Sequence, residues 1–150
     1  MGKIMGTVVK FFEDDDWRIS VEKGDSILRL TVSGKNGNWT CYAQVREEQE
    51  QFVFYSVCPV NAPENKRQDI AEFITRANYG LFIGNFEMDF EDGEVRYKTS
   101  IDVEGDRLVS ALIRQLVYQN VATMDRYLPG VMSVIYGAVS PTQAITQVES

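Results

Sequence analysis

The chain has 150 residues, 44% hydrophobic and 25% charged, with a formal net charge of −7 and no histidine. That balance fits one soluble globular domain. The acidic excess and scattered Lys and Arg argue against nucleic acid and anionic membranes, and the missing imidazole removes the commonest general base and metal ligand. No apolar run approaches the ~20 residues a bilayer demands, and the N-terminus lacks the zones of a signal peptide, so a cytoplasmic location is expected.

Ile4, Met5, Val8, Val9, Phe11 and Phe12 recur at helical spacing, which predicts a short amphipathic helix over 3–13. Asp14-Asp15-Asp16 lacks the spacing of a calcium loop and reads as a solvated link. Trp17, Ile19 and Val21 alternate as a strand, Gly24-Asp25 turns the chain, and Leu28, Leu30 and Val32 share one side of the next strand. Gly34-Lys-Asn-Gly-Asn38 is a loop. Trp39, Cys41, Ala43 and Val45 make a third strand. Phe52 to Cys58 makes a fourth that is apolar on both faces, the pattern of a central strand covered on each side. A turn centred on Gln49-Glu50 would set Cys41 opposite Cys58, two thiols expected to be buried and reduced.

Pro59 and Pro63 end this part of the sheet. Ile70, Phe73, Ile74 and Ala77 then share one face of a helix that stops near Asn78 to Gly80, with Arg76 one turn after Glu72. The stretch from Leu81 to Val103 is a β-hairpin, with Asp92-Gly93 as the central pair of a type I′ turn. That turn sets Phe90 opposite Val95, Met88 opposite Tyr97, Phe86 opposite Thr99 and Gly84 opposite Ile101. On the other face it pairs Asp89 with Arg96 and Glu87 with Lys98. Gly105-Asp106 caps a long helix with Leu108, Val109, Leu112, Ile113, Leu116, Val117 and Val121 as its core stripe. Pro129-Gly130 should break or kink it. The order is α-β-β-β-β-α-β-β-α: an α+β fold, an antiparallel sheet with helices packed on it, forming one domain over 1–138 with a frayed tail over 139–150.

Nothing in the chain assembles into a catalytic set. Gly80 to Gly84 opens a strand, where a phosphate loop would open a helix. Two widely spaced cysteines without histidine make no zinc site. Asn38-Trp39-Thr40 matches a glycosylation sequon by accident. The expectation is a non-enzymatic protein with no catalytic residues, no metal and no cofactor. Between Tyr127 and Tyr136, apolar residues occupy most of a helix circumference, where a surface helix needs one stripe. The excess is buried either against the chain's own sheet or in a homodimer interface, for which Tyr127, Val131, Met132 and Ile135 are the candidates.

Four stretches in fixed order resemble the bacterial YbjN-domain family, above all its cyanobacterial-type members. They are Arg76-Ala-Asn-Tyr-Gly80, Gly84-Asn-Phe-Glu-Met-Asp89, Asp92-Gly-Glu-Val-Arg-Tyr97 and Thr123-Met-Asp-Arg-Tyr-Leu-Pro-Gly130. Nearly the whole chain takes part. The resemblance implies a fold like that of type III secretion chaperones, which are small acidic α+β dimers holding an extended segment of a client, and it supplies no catalytic residue. The expected function is a chaperone-like or adaptor module that binds an unidentified protein client through a sheet edge or apolar sheet surface. Trp17, Trp39, Phe52, Phe54 and Tyr55 are the candidate contacts. The alternative is a small-molecule sensor with a pocket between sheet and long helix.

Overall fold

Apolar residues alternate along the strands, so each strand has one face to bury, and the helices pack on that side. The computed structural model describes residues 2–24 and 26–150; Met1 and the Asp25 half of the expected Gly24-Asp25 turn lie outside the described residues. The elements are α1 (Lys3–Asp14), β1 (Ile19–Lys23), β2 (Ile27–Ser33), β3 (Asn38–Arg46), β4 (Gln51–Val57), α2 (Arg67–Tyr79), β5 (Asn85–Met88), β6 (Val95–Asp102), α3 (Ser110–Tyr136) and α4 (Pro141–Glu149). One sheet runs β1-β2-β3-β4-β6-β5, antiparallel throughout. The fold is α+β in the expected order, with one helix added at the end.

Phe12 of α1 stacks on Phe54 of β4 at 6.1 Å, and Tyr127 of α3 meets Phe86 of β5 edge-on at 5.5 Å and Phe73 of α2 at 6.3 Å. These rings join the helices to one face of the sheet. β4 is central, as its sequence requires, but it is covered on one side alone. Phe52, Phe54 and Ser56 are buried, while Val53, Tyr55 and Val57 are half-buried on a face without helices.

The β5–β6 connection differs from the two-residue turn. Met88 faces Val95, Glu87 faces Arg96 and Phe86 faces Tyr97, a slip of two residues. The turn runs from Asp89 to Glu94, closed by Asp89 N–H donating to the Glu94 carbonyl at 2.9 Å. The side chains of Asp89 and Asp92 accept from the backbone of Glu91 and Glu94, each at 2.9 Å, so the aspartates build a wider loop. Because the slip is even, each side chain keeps its face. Phe90 moves from a cross-strand pair to the loop, 53% exposed.

The long helix begins at Ser110, after Asp106 and a buried Leu108, and leaves Val109 exposed. It does not break at Pro129. The missing proline N–H would orphan the Asp125 carbonyl four residues earlier. The Asn36 side-chain amide donates to that carbonyl at 2.9 Å, while the Asp125 carboxylate accepts from the backbone of Lys35 at 3.1 Å and Asn36 at 2.9 Å. The β2–β3 loop thus splices the helix. The expected frayed tail is ordered as α4: Ser140 and Gln143 form a reciprocal capping box, Pro141 sits in the first turn, and Pro141 and Ala144 are buried.

Cys41 faces Ser56, because the β3–β4 turn centres one residue earlier than expected, and Cys58 lies past the strand end. Both thiols are free and buried. Burial pushes Cys41 up to about 12 and Cys58 up to about 11, so neither is a ready nucleophile.

Candidate functional site

The residues expected at a dimer interface are in the chain's own core. Tyr127, Val131 and Ile135 are buried and Met132 is half-buried against that core. α3 needs apolar residues around most of its circumference because it is packed by the sheet, by α2 and by α4. The Tyr127 hydroxyl donates to Glu149 Oε2 of α4 at 2.7 Å, and Arg126 Nε donates to the Val148 carbonyl at 3.2 Å.

The expected client contacts are divided by the sheet. Trp39, Phe52 and Phe54 are buried on the helix side, where Trp39 Nε1 donates to Ser56 Oγ at 3.0 Å. Trp17 is half-exposed beside Phe12 and donates to Asp15 Oδ2 at 2.9 Å. Asp15 also accepts from Tyr118 and, at 3.4 Å, from Arg114. The Tyr118 hydrogen bond, against the opposing push of burial, holds its carboxyl below the usual range, with Trp17 and Arg114 assisting. The supposed solvated link is therefore a tie between α1 and α3. Of the five candidates only Tyr55 stands on the open face.

That open face is one of two candidate surfaces among the described residues. Its outward positions follow from the registers: Arg29, Tyr42, Tyr55 and Lys98 lie in one row, and Arg46, Gln51 and Asp102 in another. Arg96 lies over the Tyr55 ring, 4.1 Å from its centre, and also binds Glu87 at 2.5 Å. Lys98 reaches the same carboxylate at 3.2 Å. Burial would raise the Glu87 carboxyl, but Arg96 and then Lys98 outweigh it and hold it low. A shallow depression of about 390 Å³ is bordered by Arg46, Val53, Tyr55, Lys98 and Asp102.

The second surface is the link between α2 and β5. Tyr79 is 96% exposed, Phe82 99% and Ile83 49%. This places three large apolar side chains together in sequence at the edge of the sheet, where single exposed residues would be ordinary. The backbone beside it is closed. The Asn78 side chain accepts from Phe86 N–H at 2.7 Å and donates to the Phe86 carbonyl at 3.0 Å, occupying the outward groups of edge strand β5. Sequence reasoning missed this link because its apolar residues look like the start of a strand.

The space between the sheet and α3, which a small-molecule pocket would need, is filled by Ile113, Val117, Asn120 and Met124, all fully buried. Among the described residues no helix is long and apolar enough to cross a membrane.

The family model YbjN, described as "Putative bacterial sensory transduction regulator", matches residues 6–133. Among solved structures, YbjN from E. coli is similar with a TM-score of 0.61 at 10% identity, over 89% of each chain. The ExsC–ExsE complex follows with 0.56 at 11% identity, over 86% of this chain and 96% of that one. The HopA1–SchA chaperone–effector complex gives 0.55 at 11%, over 83% and 91%. At these identities the likeness establishes the fold alone, an α+β fold shared with YbjN and with the chaperone–effector complex. No curated protein matches the sequence significantly.

Proposed function

This chain belongs to the YbjN family, and from that premise we propose that it is a non-enzymatic, chaperone-like protein-interaction module. It works in the cytoplasm as a homodimer that holds an extended segment of a client protein. The observation that carries the reading is the one-sided sheet: among the described residues a six-stranded surface lies bare of helices, in a fold shared with a protein solved in a chaperone–effector complex. Tyr127, Val131 and Ile135 are buried within the chain, so the proposed dimer contact does not rest on them. Tyr79, Phe82 and Ile83 supply the aromatic-rich apolar surface that a subunit interface uses.

Two measurements test the proposal. Light scattering across a concentration series should give the dimer mass, and a monomer at every concentration would refute the dimer. Photo-crosslinked capture in the native host, with an unrelated acidic protein as control, should return a reproducible protein partner. Recovery of the chain alone would refute the client.

A further inference from the structure

We infer that the open sheet face takes a carboxylate-rich, extended polypeptide segment, an inference that rests on the interaction-module reading and adds to it the face and the chemistry of the client. The chain carries 22 acidic and 15 basic residues, yet the outward positions of β2 to β6 reverse that balance, with Glu22 on β1 beside them. Arg29, Arg46, Arg96 and Lys98 stand there against Glu87 and Asp102.

The cations frame a centre made of Tyr42, Tyr55 and Val53. Arg29 pairs with Tyr42, and Arg46 lies four residues further along β3, so the two guanidinium-bearing positions are about 14 Å apart at about 3.4 Å per residue. An extended segment presents alternate side chains to one side, and its residues i and i+4 are separated by the same distance. Two carboxylates so spaced would meet Arg29 and Arg46, with the intervening side chain on the tyrosines. The Arg29 guanidinium has no hydrogen-bond or ion-pair partner among the described residues, and Arg46 has only Gln51 Oε1 at 3.2 Å.

Competing occupants fit less well. A second copy docking by the same face would set cations against cations. The apolar side of the sheet is occupied by helices, and Asn78 closes the β5 edge at Phe86. Nucleic acid draws its affinity from many phosphate contacts, whereas here Glu87 already holds two of the four cations, in a chain of net charge −7.

The test uses the full chain and three labelled probes: a short peptide alternating Glu and Val, its Lys and Val counterpart, and an oligouridylate. Fluorescence anisotropy should show the Glu peptide binding, weakening with added salt, and the other two not binding. The double variant Arg29→Glu, Arg46→Glu should bind it at least about tenfold more weakly. Arg29→Lys, Arg46→Lys should retain binding, and Arg29→Gln, Arg46→Gln provides a second loss variant should charge reversal disturb folding. Equal binding of the two peptides, or indifference to both loss variants, overturns the inference, and preference for the oligouridylate overturns it in favour of RNA. Crosslinked capture separates the two readings. Partners held equally by wild type and charge-reversed chain would refute the acidic-segment assignment and leave the interaction module standing, whereas no partner on wild type refutes both.

Discussion

Asn120 is fully buried between α3 and the middle of the sheet, and two substitutions there should behave in opposite ways. Its Nδ2 lies 2.9 Å from the Phe54 carbonyl, 3.1 Å from that of Tyr97 and 3.2 Å from Thr99 Oγ1, while Oδ1 meets no donor. Asn120→Leu gives up two N–H donors, at about 0.5–1.5 kcal/mol each, and removes an orphan oxygen whose burial costs about 1–3 kcal/mol. These terms nearly cancel, so the variant should lie within about 2 kcal/mol of wild type. Asn120→Asp keeps the shape but aims a carboxyl at two carbonyl oxygens in a dry site. Burial raises its folded pKa above the unfolded value of about 3.9. The unfolded chain therefore ionises first, and stability relative to wild type falls by about 1.4 kcal/mol per pH unit above about 4, until the folded carboxyl ionises too. Near neutral pH the deficit should reach at least about 3 kcal/mol. Urea unfolding between about pH 5 and pH 7 reads both effects in the midpoint, with the slope unchanged. An Asn120→Asp deficit that does not grow with pH would refute the account, as would an Asn120→Leu loss above about 4 kcal/mol, which would mean that Oδ1 is satisfied.

Glu47 is the remote cap of α1, accepting from Ile4 N–H at 3.2 Å and Met5 N–H at 2.8 Å where Gly2 provides no side-chain cap. Glu47→Ala should cost about 1–2 kcal/mol in urea unfolding, and Glu47→Gln less. The Tyr127 hydroxyl is pushed from 10.0 up to about 12, first by burial and then by Glu149. Its neutral form is favoured in the folded chain, so stability should drop across that window as the unfolded tyrosine ionises, and Tyr127→Phe should flatten the drop in alkaline thermal melts. Phe82→Asp, at a residue 99% exposed, should yield a monomer by light scattering with an unchanged melting temperature. Val131→Glu, at a residue 0% exposed, should instead unfold the chain, costing more than about 3 kcal/mol.

The strands and the first two helices are legible in sequence because burial imposes period 2 or 3.6 wherever an element has one inner face. What misleads is strong local chemistry overruled from a distance. Asp92-Gly93 is a good tight-turn pair, but a Cβ at Gly93 would stand 2.0 Å from the Ala62 carbonyl oxygen, and Ala62 N–H donates to the Gly93 carbonyl at 2.8 Å. The segment after Pro59 therefore shapes the turn. Pro129 shows the same overruling, since the amide that fills its gap belongs to Asn36 in a loop far away in sequence. The capping box at Ser140 was readable, but α4 is short and has only two buried residues to mark it.

The sites were less legible, because alternation says which residues share a face and nothing about what covers it. Val53, Tyr55 and Val57 are apolar enough to suggest a second covered side, and they are also amphipathic or β-branched enough to stand half in water. The basic frame is hidden for a different reason. Arg96 and Lys98 join Arg29 and Arg46 only because β6 pairs with β4 after a crossover through α2 and β5, a long-range step that no local pattern encodes. The same geometry limits how a client can be held. With the apolar side of the sheet consumed by helices, affinity on the open face must come from charge, tyrosine contact and backbone polarity. Screening shortens the reach of exposed charges to about 8 Å near physiological ionic strength, so client release should accelerate with salt. A chaperone gripping its client through buried apolar pockets would show the reverse, binding held or strengthened in sulfate.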